Sequence, residues 1–128
     1  SRWMKMEANQ NNANRFVLSR SANRHEVDTP DGMLIVYVKP LSWIEQQEAM
    51  SQFVDFKIID GEASPSIDLG GYWRYVLTRC IEKTEPALSE TDLLNLKPEV
   101  GDAIKHVLPS LTDIMQQFAS GGEANPLV

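Results

Sequence analysis

The sequence predicts an α+β domain, an N-terminal β-hairpin packed on a mostly helical body of three to five helices. Three observations carry that prediction. Runs rich in β-branched and aromatic residues come first, at Arg15–Arg20 (RFVLSR) and Met33–Lys39 (MLIVYVK). The connector between them ends in Thr29-Pro30-Asp31-Gly32, where proline presets φ, aspartate tolerates turn geometry and glycine accepts positive φ. After Pro40 the apolar residues recur at helical spacing, and capping side chains precede the runs.

Taken in order, residues 1–13 are rich in Asn, Gln and Glu and read as a flexible arm, although Trp3, Met4 and Met6 are unusual in one. The two β-rich runs form an antiparallel hairpin, with Arg24–Val27 adding a portion of strand. Pro40 has no N–H to give to a ladder, so the second strand stops there. Ser42 and Glu45 then form an S-x-x-E capping box for a helix. Its apolar face is Trp43, Met50, Phe53 and Val54, with Ile44 on the flank. Lys57–Asp60 reads as a short strand or a helix exit, and Gly61–Ser66 as a loop.

Asp68 caps the next helix, whose predicted buried stripe is Leu69, Trp73, Val76, Leu77 and Cys80. Gly70 and Gly71 weaken its first turn and move its expected start toward Tyr72. Ser89 and Asp92 cap a short helix over Thr91–Leu96, and Pro98 opens another at a position where a missing N–H costs nothing. From Val100 to Phe118 one apolar phase runs across Pro109. An interior proline costs a helix about 3 kcal/mol, so the reading is a restart after Pro109, capped by Ser110 and Asp113. Gly121 is the expected stop. The domain is then 14–120, with 121–128 as a flexible tail.

Composition narrows the function. At 128 residues, 42% hydrophobic and 23% charged, the chain reads as one globular domain. No apolar run nears the roughly 20 residues of a membrane helix, and the first residues lack the apolar core of a secretory signal. The net charge of −6 is uneven, with six Lys/Arg against four Asp/Glu in residues 1–40 and six against fourteen thereafter. An acidic body disfavours nucleic acid, which is bound through clustered Lys and Arg. A single cysteine excludes an intrachain disulfide and fits a reducing cytoplasm.

The chemistry of known sites is missing from the pattern. His25 and His106 are the only histidines, with no H-E-x-x-H or C-x-x-C, so neither a metal nor another cofactor is expected. Gly70 and Gly71 lack the spacing of a phosphate loop and suit a turn or a close approach better. No serine stands in a G-x-S-x-G elbow. Cys80 lies on a buried phase and reads as a small core residue, not a nucleophile. Arg74 and Arg79 beside Trp73 and Tyr75 would suit base stacking, but Trp73 is on the buried stripe and its surroundings are acidic. No catalytic residue is expected.

Two stretches carry a family resemblance. Asp31–Met50 (DGMLIVYVKPLSWIEQQEAM) is a β element closed by proline and Leu-Ser, followed by an acidic helix. Tyr72–Val100 (YWRYVLTRCIEKTEPALSETDLLNLKPEV) is a helix ending in an acidic, proline-containing stretch, then an L-S-x-x-D-L-L turn into closing helices. Over residues 31–118 the chain resembles the tail assembly chaperones of long-tailed bacteriophages. The resemblance implies a non-enzymatic protein that binds the hydrophobic tape-measure protein in the host cytoplasm, with no catalytic residues to carry over. The basic, Asn-rich N-terminal segment departs from some members. It leaves open a structural virion or tail component, or another small protein-interaction module. A homo-oligomer is also left open.

A client-binding chaperone needs exposed apolar or aromatic surface on an acidic body. The candidate residues are Tyr72, Tyr75 and Arg79, off the predicted stripe of their helix, with Leu111 and Met115 on the closing helix. For Leu111 and Met115 a plain core role is the stronger reading.

Overall fold

The computed structural model describes residues 13–124, with side chains placed as far as residue 117. The expected arm at 1–13 and tail at 121–128 therefore fall mostly outside the described residues. The fold is α+β, with an N-terminal hairpin against a helical body.

The hairpin pairs β1 (Asn23–Thr29) with β2 (Gly32–Val38), antiparallel and in unbroken register from Asn23↔Val38 to Thr29↔Gly32. The turn is the expected one. The Thr29 hydroxyl accepts from the Asp31 N–H at 3.1 Å and donates to the Gly32 carbonyl at 2.7 Å, while Gly32 takes φ +117°. Arg15–Arg20, expected to be the first strand, pairs with no strand. Residues 23–29 lie directly against the two-residue turn and occupy the whole length of β2 on that side, so no edge remains for the earlier run.

A further strand is absent from the sequence reading. β5 (Ile81–Glu85) pairs antiparallel with the other edge of β2, giving the order β1-β2-β5. Its signal is faint because only Ile81 and Thr84 of IEKTE face the core. Leu34, Val36 and Val38 of the central strand point into that core, joined by Val27 from β1. The opposite face is solvated and mixed. On it the Tyr37 hydroxyl donates to Glu85 at 3.2 Å, and the Lys83 ammonium lies 4.5 Å from the Tyr37 ring centre. One buried and one wet face is the usual state of an antiparallel sheet.

Helix α1 (Trp43–Phe53) begins with both bonds of the predicted capping box, Ser42 Oγ accepting from the Glu45 N–H and Glu45 from the Ser42 N–H. Its buried line is Glu45, Ala49, Met50 and Phe53. Trp43, expected in the core, is 72% exposed, because it is the first helical residue and no described element covers it there.

Helix α2 (Leu69–Cys80) starts at Leu69, not near Tyr72. Asp68 accepts from the Gly71 N–H at 2.9 Å, and a Cβ on Gly71 would strike the Asp68 carboxylate, so this glycine permits the cap. The buried stripe is Tyr72, Val76 and Cys80, rotated from the expected one, with Leu69 exposed and Trp73 and Leu77 half-buried. The Tyr72 ring meets Phe53 edge-on at 5.9 Å, and its hydroxyl donates to the Pro109 carbonyl at 2.6 Å.

Between α1 and α2 the chain forms a second hairpin, β3 (Val54–Ile59) with β4 (Glu62–Ile67): of the two readings of Lys57–Asp60, short strand or helix exit, the strand holds, while Gly61–Ser66, expected as a loop, is mostly its partner strand. The missed signal was Asp60-Gly61. Both take positive φ, 53° and 82°, as a two-residue type I′ turn requires.

Beyond β5, α3 (Glu90–Leu93) carries the Ser89–Asp92 capping box and α4 (Pro98–Ile104) has proline in its first turn. A 3₁₀ turn over Lys105–Val107 leads to α5 (Leu111–Ala124), so the chain does break and restart around Pro109. Helix α5 runs through Gly121 to Ala124; interior glycines weaken a helix by about 1 kcal/mol each without forcing an end. α4 packs on β1 and α5 on α1.

Tyr72 thus joins α2, α1 and the α4–α5 connection. Tyr72→Phe keeps the ring packing and orphans the Pro109 carbonyl, so urea unfolding should show a loss of about 1–2 kcal/mol. Tyr72→Ala should cost about 3–5 kcal/mol.

Candidate partner-binding surface

The five residues expected to bind a partner separate by burial. Tyr72 and Leu111 are core residues, at 0% and 2% exposure, and cannot form a docking face. The expected stripe of α2 placed Tyr72 on the outside, but that side of the helix meets Phe53 and the Pro109 carbonyl. A tyrosine satisfies both with its ring and hydroxyl. Desolvation in this position pushes its phenol pKa up. Met115 is half-buried against the core. Only Tyr75 and Arg79 are brought together near the surface, the guanidinium 5.8 Å from the ring centre, with Tyr75 also 5.6 Å from Phe53.

Tyr75 and Arg79 border a cleft of about 650 Å³ that Arg20, Lys39 and Glu45 also line. Glu45 is its central group. One carboxylate oxygen accepts from Arg20 at 2.7 Å and from the Ser42 N–H at 2.8 Å, and the other from Arg79 at 2.8 Å and 2.6 Å. Burial opposes its ionisation, but the Ser42 N–H and the two guanidinium groups outweigh it and hold the carboxyl down to about 2. Such a group neither gives nor takes a proton near neutral pH. Cys80, at the cleft wall, is buried, and desolvation pushes its thiol up to about 11, so it stays protonated and unreactive. The cleft is an ion-pair junction.

A different apolar surface is exposed on the second hairpin. Alternation along β3–β4 puts Val54, Phe56, Ile58, Ala63, Pro65 and Ile67 on one face of the ribbon. Asp55, Lys57, Ser64, Ser66 and Glu62 lie on the other, with Ile59 the apolar exception. Val54 is buried at the root against α1, but Phe56 is 57% and Ile58 79% exposed. Among the described elements, only α1 makes extensive contact with this hairpin. A two-stranded ribbon is marginal in water by itself.

Sequence reasoning missed this surface because Pro65 and the serines make β4 look like a loop. The period-2 pattern emerges only once the Asp60-Gly61 turn fixes the register. Among the described residues no helix is long and apolar enough to cross a membrane, and no three His, Cys, Asp or Glu side chains come together as metal ligands. In comparisons with known proteins, the chain matches no family model, no curated protein and no solved structure.

Glu45→Gln should lower stability at pH 7 by about 1–3 kcal/mol, since both arginines are half-exposed and rehydrate when released. A folded pKa depressed from 4.5 to about 2 gives stability that is complete above pH 4.5 and lost as pH falls toward 2, with a ceiling of about 3 kcal/mol. Urea titrations from pH 7 to pH 2 should show the two proteins converging below about pH 4.

Proposed function

We propose that this protein is a non-enzymatic tail assembly chaperone of a long-tailed bacteriophage. In this reading it holds an apolar segment of the tape-measure protein in the host cytoplasm. The observation that carries the reading is the uncovered apolar face of the β3–β4 hairpin, presented by an otherwise acidic chain. An assembly chaperone has to shield a hydrophobic client and release it later. That calls for modest apolar area on a mobile or projecting element, and for net charge that keeps the loaded complex from aggregating. The hairpin has both of its ends fixed, by Val54 in the core and by the Asp68 N–H donating to the Phe53 carbonyl at 2.8 Å, while its outer two-thirds project.

The resemblance over residues 31–118 supports the same reading, because its two stretches flank this hairpin. Tyr75 and Arg79 form a second, smaller contact candidate beyond the root of α2.

The test is co-expression with the tape-measure protein of the same virus, followed by pull-down. Replacing Phe56 and Ile58 together by Ser removes two exposed apolar side chains, so the melting temperature should hardly move. Client binding should fall at least about tenfold, the value of one well-buried side chain of 1.4 kcal/mol or more. Equal capture by the double variant would reject the hairpin as the client site. Failure of the unmodified protein to capture the client would reject the chaperone reading.

A further inference from the structure

The register of β3–β4 decides which backbone groups of the ribbon stay unused. The two-residue turn makes Ile59 and Glu62 a hydrogen-bonded pair, and alternation makes Lys57–Ser64 and Asp55–Ser66 the next ones. The bond from the Asp68 N–H to the Phe53 carbonyl continues the series at the root. The backbone groups of Val54, Phe56 and Ile58 therefore face away from β4. The Val54 N–H is already committed to the Met50 carbonyl at the end of α1. What β3 offers at its outer edge is the N–H groups of Phe56 and Ile58 and the carbonyls of all three residues. The β4 edge is guarded, because Pro65 in its middle has no N–H to offer.

The side chains of β3 are complementary to those of a second β3 running antiparallel. Asp55 and Lys57 lie on one face, either side of Phe56, and both are exposed. Across the ribbon they meet only Ser66 and Ser64, and among the described residues neither has an ion-pair partner. Unlike charges directly opposite each other stabilise an antiparallel pair and like charges weaken it. A two-fold axis through Phe56 sets Asp55 of each copy opposite Lys57 of the other. Moving the axis one residue to Asp55 sets that carboxylate against itself, and moving it to Lys57 does the same to the ammonium. A parallel, in-register pair suffers both clashes. Charge therefore selects the Phe56 axis. The unused backbone groups suffice for it, since Phe56 N–H and C=O bond to their own counterparts and each Ile58 N–H donates to the Val54 carbonyl of the other copy. On the opposite face Val54, Phe56 and Ile58 lie against Ile58, Phe56 and Val54, apolar on apolar.

We propose that two copies of this chain join β3 to β3 about a two-fold axis through Phe56, forming a four-stranded sheet in the order β4-β3-β3-β4. The contact is isologous, so it closes at a dimer and cannot propagate. It also removes the one unguarded edge and adds strands to a ribbon that is marginal as a pair. One strand pairing buries less than a standard interface, which sets the dissociation constant at about 100 µM. The pairing uses the edge of the ribbon and leaves its apolar face, so it does not rest on the chaperone reading.

Sedimentation velocity of the full chain, over a series reaching about 500 µM and without any client, tests this. The unmodified protein should pass from monomer to dimer and form nothing larger. Asp55→Lys places two lysine–lysine pairs in the contact and Lys57→Asp two aspartate–aspartate pairs, so each alone should weaken the dimer about tenfold or more. The double variant Asp55→Lys with Lys57→Asp restores both unlike pairs and should dimerise within about threefold of the unmodified protein. An equimolar mixture of the two single variants should form a heterodimer, because every facing pair is then unlike. Both positions are exposed and face serines within their own hairpin, so the circular dichroism of all variants should match. A protein that stays monomeric throughout the series, one that grows beyond the dimer, or a dimer that either single variant leaves unchanged would each overturn the proposal. So would a double variant no stronger than the single ones.

Discussion

The carboxylate of Glu45 ties together three stretches of chain that are remote in sequence. It closes the capping box at the start of α1, receives Arg79 from the last turn of α2, and receives Arg20 from the segment before β1. Burying a charge is costly unless its partners nearly surround it, and this one is met on both oxygens. The start of α1 is consequently placed beside the end of α2. At the other end Phe53 meets Tyr72, so the two helices run antiparallel. The connection between them must then turn back on itself, and the β3–β4 hairpin is that connection.

This geometry explains why an apolar ribbon stands away from the core. The interior is filled by Val36, Tyr72, Val76, Ile104 and their neighbours between the sheet and the helices. Only Val54 at the root of the hairpin reaches it. Further along, each apolar residue on the inner side of the ribbon has lost the helix that would have covered it. In the first sheet, by contrast, β2 sends Leu34, Val36 and Val38 inward, and the outer face carries Glu85, Lys83 and the hydroxyl end of Tyr37. A chain that covers one sheet and leaves the apolar face of the other open has an asymmetry that binding can use.

The local chemistry of the sequence was decisive wherever a few neighbouring residues determine the outcome. Pro40 ended β2, Ser42 with Glu45 opened α1, Ser89 with Asp92 opened α3, and Pro109 separated α4 from α5. The α+β class followed from the same signals, because proline and caps act through their own N–H groups and their nearest turns. Of the candidate site, Tyr75 and Arg79 were legible as a surface pair.

The sequence could not choose between faces that periodicity leaves nearly equal. Trp73 and Tyr72 are 100° apart on α2, and either stripe contains Val76 and Cys80. The Pro109 carbonyl, 37 residues away, selected the tyrosine by offering its hydroxyl an acceptor. Strand identity in the first sheet was likewise settled by competition for β2, which Asn23–Thr29 won from RFVLSR by adjacency to the turn, and which β5 joined with only two inward residues. Glu45 read as a cap alone, since nothing local announces that Arg20 and Arg79 will converge on it. The caps at Ser42 and Ser89, the proline stops and the Thr29–Gly32 turn were determined by the sequence itself. Which face is buried, which strand pairs and which charge is neutralised were decided by tertiary contact, because those energies belong to pairs of residues that only the fold brings within reach.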